Sequence, residues 1–264
     1  MNSTTAGKGD PYWYEWTVGL LKVVEMIGPE SGIQSVSFQV TGAKGWDDVV
    51  VRYTDGRSDF IQVKHSRVEG RSFTFGDLVG VDEQGTSLLG SLFAAWREMK
   101  LKPENERCIL FTNRAAGESA GRSATGVLRP PLFDFIAWLK GELKRVNRLS
   151  DCKPPNGWEA AWKEWLGQLA PGAATQRLAF LSSLEIRANQ EDLPALEVAV
   201  LATLSKIFQI PTTRAVPLFH SLDSELRRWT TIKETVTAED VYSAMALEDE
   251  VELEHRAPPP PTPF

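Results

Sequence analysis

The chain has 264 residues, 42% hydrophobic and 24% charged, which is an ordinary globular composition with length enough for a sizeable core. Its net charge of −6 excludes nucleic-acid binding by bulk charge while leaving room for a local basic groove. Two distant cysteines, Cys108 and Cys152, exclude a disulfide framework and a paired-cysteine zinc site, which fits a reducing cytoplasm. With no apolar N-terminal region and no apolar run of membrane-spanning length, neither a signal peptide nor a membrane span is expected.

Residues 1–10 are small and polar and are expected to be disordered. Residues 11–27 predict a helix: Asp10 suits the N-cap, Pro11 the first turn, and apolar side chains recur at positions 12, 16, 20, 23, 24 and 27. Residues 35–41 alternate like a strand, with Gly42 and Gly45 at the bend that follows. Asp47 to His65 reads as a β-hairpin, because two β-branched or aromatic runs flank a turn containing Asp55-Gly56. A polar loop follows, then a short helix over 74–80, a longer one over 86–100 and a buried strand over 107–113. The Gly/Ala/Ser-rich stretch 115–126 reads as a loop, and it lacks the lysine of a P-loop. Candidate helices then cover 130–146, 157–169, 174–187, 193–209, 217–232 and 237–247, with no strand expected among them. Trp158, Trp162 and Trp165 share one helical face, read as core packing. Residues 237–254 carry seven carboxylates and no Lys or Arg, and the chain ends in a Pro-rich run. That ending is expected to be an interdomain linker, with this chain the N-terminal part of something larger.

The expected fold is α/β, a mixed sheet flanked by helices with a mostly helical C-terminal elaboration. The expected division is a core over 10–127, a helical part over 128–247 packed on it, and a tail over 248–264.

The hairpin carries the chemistry. Gln62 and Lys64 interrupt an apolar strand at period 2, so both face one side of the sheet. If the strands pair symmetrically about the turn, Lys64 lies opposite Asp48, and a carboxylate, an amide and an ammonium converge. Hard divalent cations such as Mg²⁺ or Mn²⁺ take oxygen ligands. Asp48, the side-chain carbonyl of Gln62, the backbone carbonyl of Val63 and Glu15 on the first helix are the candidate metal ligands. Lys64 suits orienting or deprotonating an attacking water and steadying phosphoryl charge. Asp47 and Asp48 compete for the role of motif aspartate. Symmetric pairing favours Asp48 and turns Asp47 to the opposite face.

The pattern Glu15, Asp48 and Gln62-Val63-Lys64 resembles the PD-(D/E)xK nuclease superfamily, in the variant with Gln in the acidic position. Residues 10–115 resemble the N-terminal double-stranded DNA endonuclease domain of bacterial antiphage effectors. These are the CD-NTase-associated effectors of CBASS and similar domains fused to STAND-type NTPases, and a looser helical similarity runs to about residue 235. The resemblance implies a restriction-endonuclease-like core, Mg²⁺-dependent cleavage of double-stranded DNA, a fused or associated sensor domain, and activation by homo-oligomerisation.

Each of these residues also has a plainer reading. Lys64 suits an edge strand, Gln62 a buried amide tying down a loop, Asp48 a strand start and Glu15 a solvated helix face. A catalytically silent nuclease fold and a helical oligomerisation module are the alternative functions. His65 should face away from Lys64, and with His220 and His255 distant no zinc site is expected. Cys108 reads as core. Arg67, Arg71, Arg114 and Arg122 lie in loops near the site edge and are candidate phosphate contacts or simple solvated charges.

Overall fold

A computed structural model describes residues 10–40, 45–66, 72–232 and 235–246. The expectations for residues 1–9, for Gly42, Arg67 and Arg71, and for the tail from 247 onward lie outside these residues.

The N-terminal helix α1 (Asp10–Met26) leads into three antiparallel strands, β1 (Ile33–Phe38), β2 (Val49–Tyr53) and β3 (Ser58–Lys64). Helices α2 (Phe75–Val79) and α3 (Leu88–Met99) then cross over to β4 (Glu106–Thr112), which pairs in parallel with β3. A small hairpin, β5 (Gly121–Arg122) and β6 (Leu128–Arg129), precedes α4 (Leu132–Leu143), a 3-10 turn over Leu149–Asp151, α5 (Glu159–Gln168) and α6 (Ala174–Ser183). Strand β7 (Leu184–Arg187) follows and pairs in parallel with β4. Helices α7 (Leu193–Phe208), α8 (Thr212–Ile232) and α9 (Ala238–Ala246) complete the described chain. The sheet order is β1-β2-β3-β4-β7, a five-stranded mixed sheet. This is the expected α/β class.

Strand side chains alternate between two cores. Val49, Val51, Ile61, Val63, Ile109 and Phe111 face a layer built from α1, α7, α8 and α9. Val50, Phe60, Cys108 and Leu110 face a layer drawn from α2 to α6. Cys108 is core, as expected, and burial pushes its thiol up to about 12. Trp158, Trp162 and Trp165 also pack in the second core, around Phe135. On the first face, α1 lies close on β1 because Gly19 has no side chain; a Cβ there would run into the ring of Phe38.

Four expectations need correction. Residues 184–187 were expected to end a helix, yet they form β7. Leu184 and Ile186 pack on the second core while Glu185 and Arg187 pair with each other at 2.8 Å. Four residues of alternation are too few to separate a strand from a last helical turn. The stretch 115–126 is not wholly a loop, since Gly121 and Arg122 pair with Arg129 and Leu128. Helix α8 begins at Thr212 rather than at 217 and carries Pro217 at its sixth position, where the missing N–H removes the donor that would otherwise reach the Thr213 carbonyl.

The fourth correction is the hairpin register. The loop is Thr54-Asp55-Gly56: Tyr53 N–H donates to Arg57 O (2.9 Å), Gly56 N–H donates to Tyr53 O (3.1 Å), and Gly56 has φ +84°. This three-residue connection pairs Val49 with Ile61 and Arg52 with Ser58, so the next step outward puts Asp48 opposite Gln62, not Lys64. The two-residue shift keeps every side chain on its expected face.

Asp59 holds the register at the other end of β3. It is buried and accepts from Arg107 Nε (2.7 Å), Arg107 Nη2 (2.6 Å) and the Tyr53 hydroxyl (2.9 Å), tying β3 to both neighbours. Removing it strands all three donors, carried on the half-buried Tyr53 and Arg107 side chains. Asp59→Ala is expected to lower unfolding stability by about 2 kcal/mol, measured by urea denaturation. Arg57→Ala, which breaks an exposed pair with Asp55 and a contact over the Tyr53 ring at 5.2 Å, is expected to change it by less than about 1 kcal/mol. Equal effects would place the register control elsewhere.

Candidate functional site

The polar end of β3 lies where the sheet opens. β3, β4 and β7 run parallel, so Lys64 and Thr112 sit side by side at their carboxyl ends, a common position for a site in a sheet of this kind. β2 and β3 stop pairing through their backbones after Val49 and Ile61. The backbone carbonyls of Asp47 and Asp48 turn toward β1, accepting from Val40 (3.0 Å) and Gln39 (3.2 Å). The carboxylate of Asp48 takes over on the β3 side. Its Oδ2 accepts from the Val63 N–H at 2.6 Å and from Gln62 Nε2. Asp47 instead caps its own turn, its Oδ1 accepting from Gly45 N–H at 2.9 Å.

The structure therefore gathers Asp48, Gln62 and Lys64 on one face, with the backbone of Val63 at its edge. Gln62 is buried and Lys64 half-buried. Lys64 belongs to the central strand, which removes the edge-strand reading. In an extended strand the N–H and C=O of one residue point to the same edge, so the Val63 carbonyl shares the edge that meets Asp48. Glu15 approaches from α1 and interacts electrostatically with Asp48, Lys64 and Asp47.

Burial first, and neighbouring negative charge second, make both carboxylates reluctant anions. Glu15 is pushed up to about 7, by desolvation first and then by the charge of Asp48, with Lys64 pulling the other way. Asp48 is pushed up to about 6 by desolvation, against the Val63 hydrogen bond and the Lys64 charge. Among the described residues, no group of three or more His, Cys, Asp or Glu side chains could hold a metal ion. The donor set is two carboxylates, a neutral amide and a main-chain carbonyl. That set fits a hard cation such as Mg²⁺, which commonly takes only one or two protein carboxylates and keeps several waters.

Of the loop arginines, Arg114 is committed to structure. It pairs with Asp77 at 3.0 Å, donates to the Ser72 carbonyl and lies over the Phe73 ring. Arg122 is exposed and donates to Gly126 O within the small hairpin. Two supports had no sequence signal of their own. Asn113, just past β4, accepts from Ser66 N–H (2.9 Å) and donates to Ser66 O (2.8 Å), clamping the chain that leaves Lys64. His65 faces away from Lys64, as expected, and its ring stacks on Tyr14.

Among the described residues, no single helix is long and apolar enough to cross a membrane. No protein-family model and no curated protein matches the chain. Among solved structures it is similar to the Moraxella osloensis Cap4 SAVED/CARF-domain containing receptor, at 12% identity and TM-score 0.46, over 91% of this chain and 48% of that one. It is also similar to the Acinetobacter baumannii Cap4 SAVED/CARF-domain containing receptor with the cyclic trinucleotide 3'3'3'-cAAA, at 10% identity and TM-score 0.49, over 90% and 48%. The chain spans about half the length of the receptors it matches.

The raised carboxylates set a pH signature for the metal-free protein. An unfolded chain releases these protons near its ordinary carboxylate values, whereas the folded site keeps them to about 6 and about 7. The folded state thus holds more protons across that window, so stability falls as pH rises through it and levels off above about 7. In EDTA, Glu15→Gln is expected to melt a few degrees above wild type at pH 8 and level with it at pH 4. A difference independent of pH would mean that Glu15 is not the titrating group.

Proposed function

We propose that this chain is a divalent-metal-dependent DNA endonuclease acting through Glu15, Asp48, Gln62 and Lys64. The observation that carries the reading is the meeting of Asp48, Gln62 and Lys64 on one face at the open end of β3. Glu15 lies within electrostatic reach of two of them.

Each group has a distinct task in this reading. Glu15 and Asp48 would hold the cation, assisted by the Gln62 and Val63 carbonyls. Bound there, it would supply Lewis acidity, lowering the pKa of a water and drawing charge from the scissile phosphate. Lys64 carries three donors on a half-buried ammonium, so it can orient the attacking water and steady the phosphoryl oxygens. Gln62 binds Asp48 and keeps its carboxylate aimed across the gap between β2 and β3. Double-stranded DNA is the proposed substrate and antiphage defence the proposed setting, both from the resemblance of residues 10–115. In that setting a sensor, fused or associated, gathers copies of the chain and switches on cleavage.

One observation favours a second reading, binding without cleavage: only two carboxylates meet here, and the third acidic position holds a neutral amide. Supercoiled plasmid separates the two. With Mg²⁺, across a protein concentration series that promotes self-association, the nuclease reading expects nicking or degradation that EDTA abolishes. Lys64→Ala is expected to lower that rate about 100-fold or more. Plasmid retarded in a gel but left intact under every one of these conditions would favour the binding module. Cleavage undiminished in Lys64→Ala would move the chemistry to another site.

A further inference from the structure

We infer that the stacked rings of Tyr14 and His65 are a positioning device that fixes Glu15 against Lys64. The inference deepens the nuclease reading and rests on it. The rings lie 4.4 Å apart at an interplanar angle of 24°. Each belongs to a residue next to a proposed site residue: Tyr14 precedes Glu15 on α1, and His65 follows Lys64 at the end of β3. Neither ring faces the site. His65 points to the opposite side of the strand from Lys64, and Tyr14 sits about 100° around the helix from Glu15. The stack therefore lies behind the site and joins the two backbones that carry its ammonium and one of its carboxylates.

The stack is itself well anchored. Tyr14 is fully buried, packs against the Phe111 ring of β4 at 6.3 Å, and donates its hydroxyl to Glu191 O at 2.8 Å. Glu191 immediately precedes Asp192, whose side chain caps α7 at Ala195 N–H. Phe38 meets α1 farther along, at Gly19. The turn that bears Glu15 is held to the central strand by the ring pair. Displacements of about 1 Å in a catalytic constellation cost up to about 100-fold in rate, so slackening this contact should register in turnover before it registers in folding.

The test uses the full chain, Mg²⁺ and plasmid DNA at a temperature where every variant is folded by circular dichroism. His65→Leu removes the stack but keeps an apolar side chain, and is expected to lower kcat about tenfold with KM for DNA unchanged. It should also raise the Mg²⁺ concentration at half-saturation and shrink the rise in Tm that Mg²⁺ produces without DNA. His65→Phe keeps a ring against Tyr14 and is expected to recover most of both. In a Glu15→Gln background, His65→Leu should cost nothing further, because the stack acts through Glu15. Tyr14→Leu removes the same contact from the helix side and substitutes if His65→Leu does not fold. Wild-type kinetics and Mg²⁺ response in His65→Leu, or a full additional loss in the Glu15→Gln background, would overturn the inference alone. Absence of Lys64-dependent cleavage in the wild-type chain would overturn the nuclease reading and the inference with it.

Discussion

The carboxylate of Asp59, buried in β3 and bound by Arg107 and Tyr53, ties the central strand to both neighbours at one end. A buried anion satisfied by a bidentate guanidinium and a hydroxyl tolerates no slippage, because a one-residue shift would leave it unpaired among apolar side chains. The rest of β3 is then determined by its period of two. Ile61 and Val63 fall to one core, Phe60 to the other, and Gln62 and Lys64 arrive together at the far end. Asp48 repeats the device there in a weaker form, a carboxylate bridging to β3 where the backbone ladder has ended.

The two ends differ in how their charge is compensated. Asp59 faces a guanidinium held within hydrogen-bonding distance, and the Arg107 pKa rises in response. Asp48 and Glu15 share one half-buried ammonium, and although Val63 and Gln62 also donate to Asp48, burial raises both carboxylates and the charge of Asp48 raises Glu15 further. Such an arrangement lowers stability as it stands and gains most from an added cation, since an ion would relieve both desolvation and repulsion. Structural ion pairs have the opposite signature. This contrast between the two ends of β3, more than the spacing of the motif, supports reading the open end as a site.

Much of this was legible in the sequence, for definable reasons. The period of two around Gln62 and Lys64 fixed their shared face whatever the register, so a register error of two residues left the site intact. Helix α1 and strand β4 are long, strongly patterned segments. Strand β7 was illegible because Leu184-Glu185-Ile186-Arg187 follows a helix directly, and only its parallel pairing with β4 makes it a strand. A three-residue loop can be centred on Asp55 or on Gly56, and that choice moves the partner of Asp48 between Gln62 and Lys64, so the true partner needed the backbone. The clamp between Asn113 and Ser66 joins residues distant in sequence, and neither announces the other.

The helical half of the chain divides between the two faces of the sheet, and this bears on the site more than its helical composition suggests. Helices α4 to α6 cover one face, and α6 runs straight into the edge strand β7. Helices α7 and α8 cover the other and pack on α1, while the residue before the α7 cap receives the Tyr14 hydroxyl. Arg227 of α8 lies over the Trp13 ring, two residues from Glu15. The position of Glu15 thus depends on segments roughly two hundred residues away in sequence, through ordinary packing and one hydrogen bond. A carboxylate carried on a lone N-terminal helix would be poorly fixed against a strand-borne lysine. Enclosing that helix between the sheet and the later helices gives it a defined place, and it makes the site a property of the whole described chain rather than of the hairpin alone.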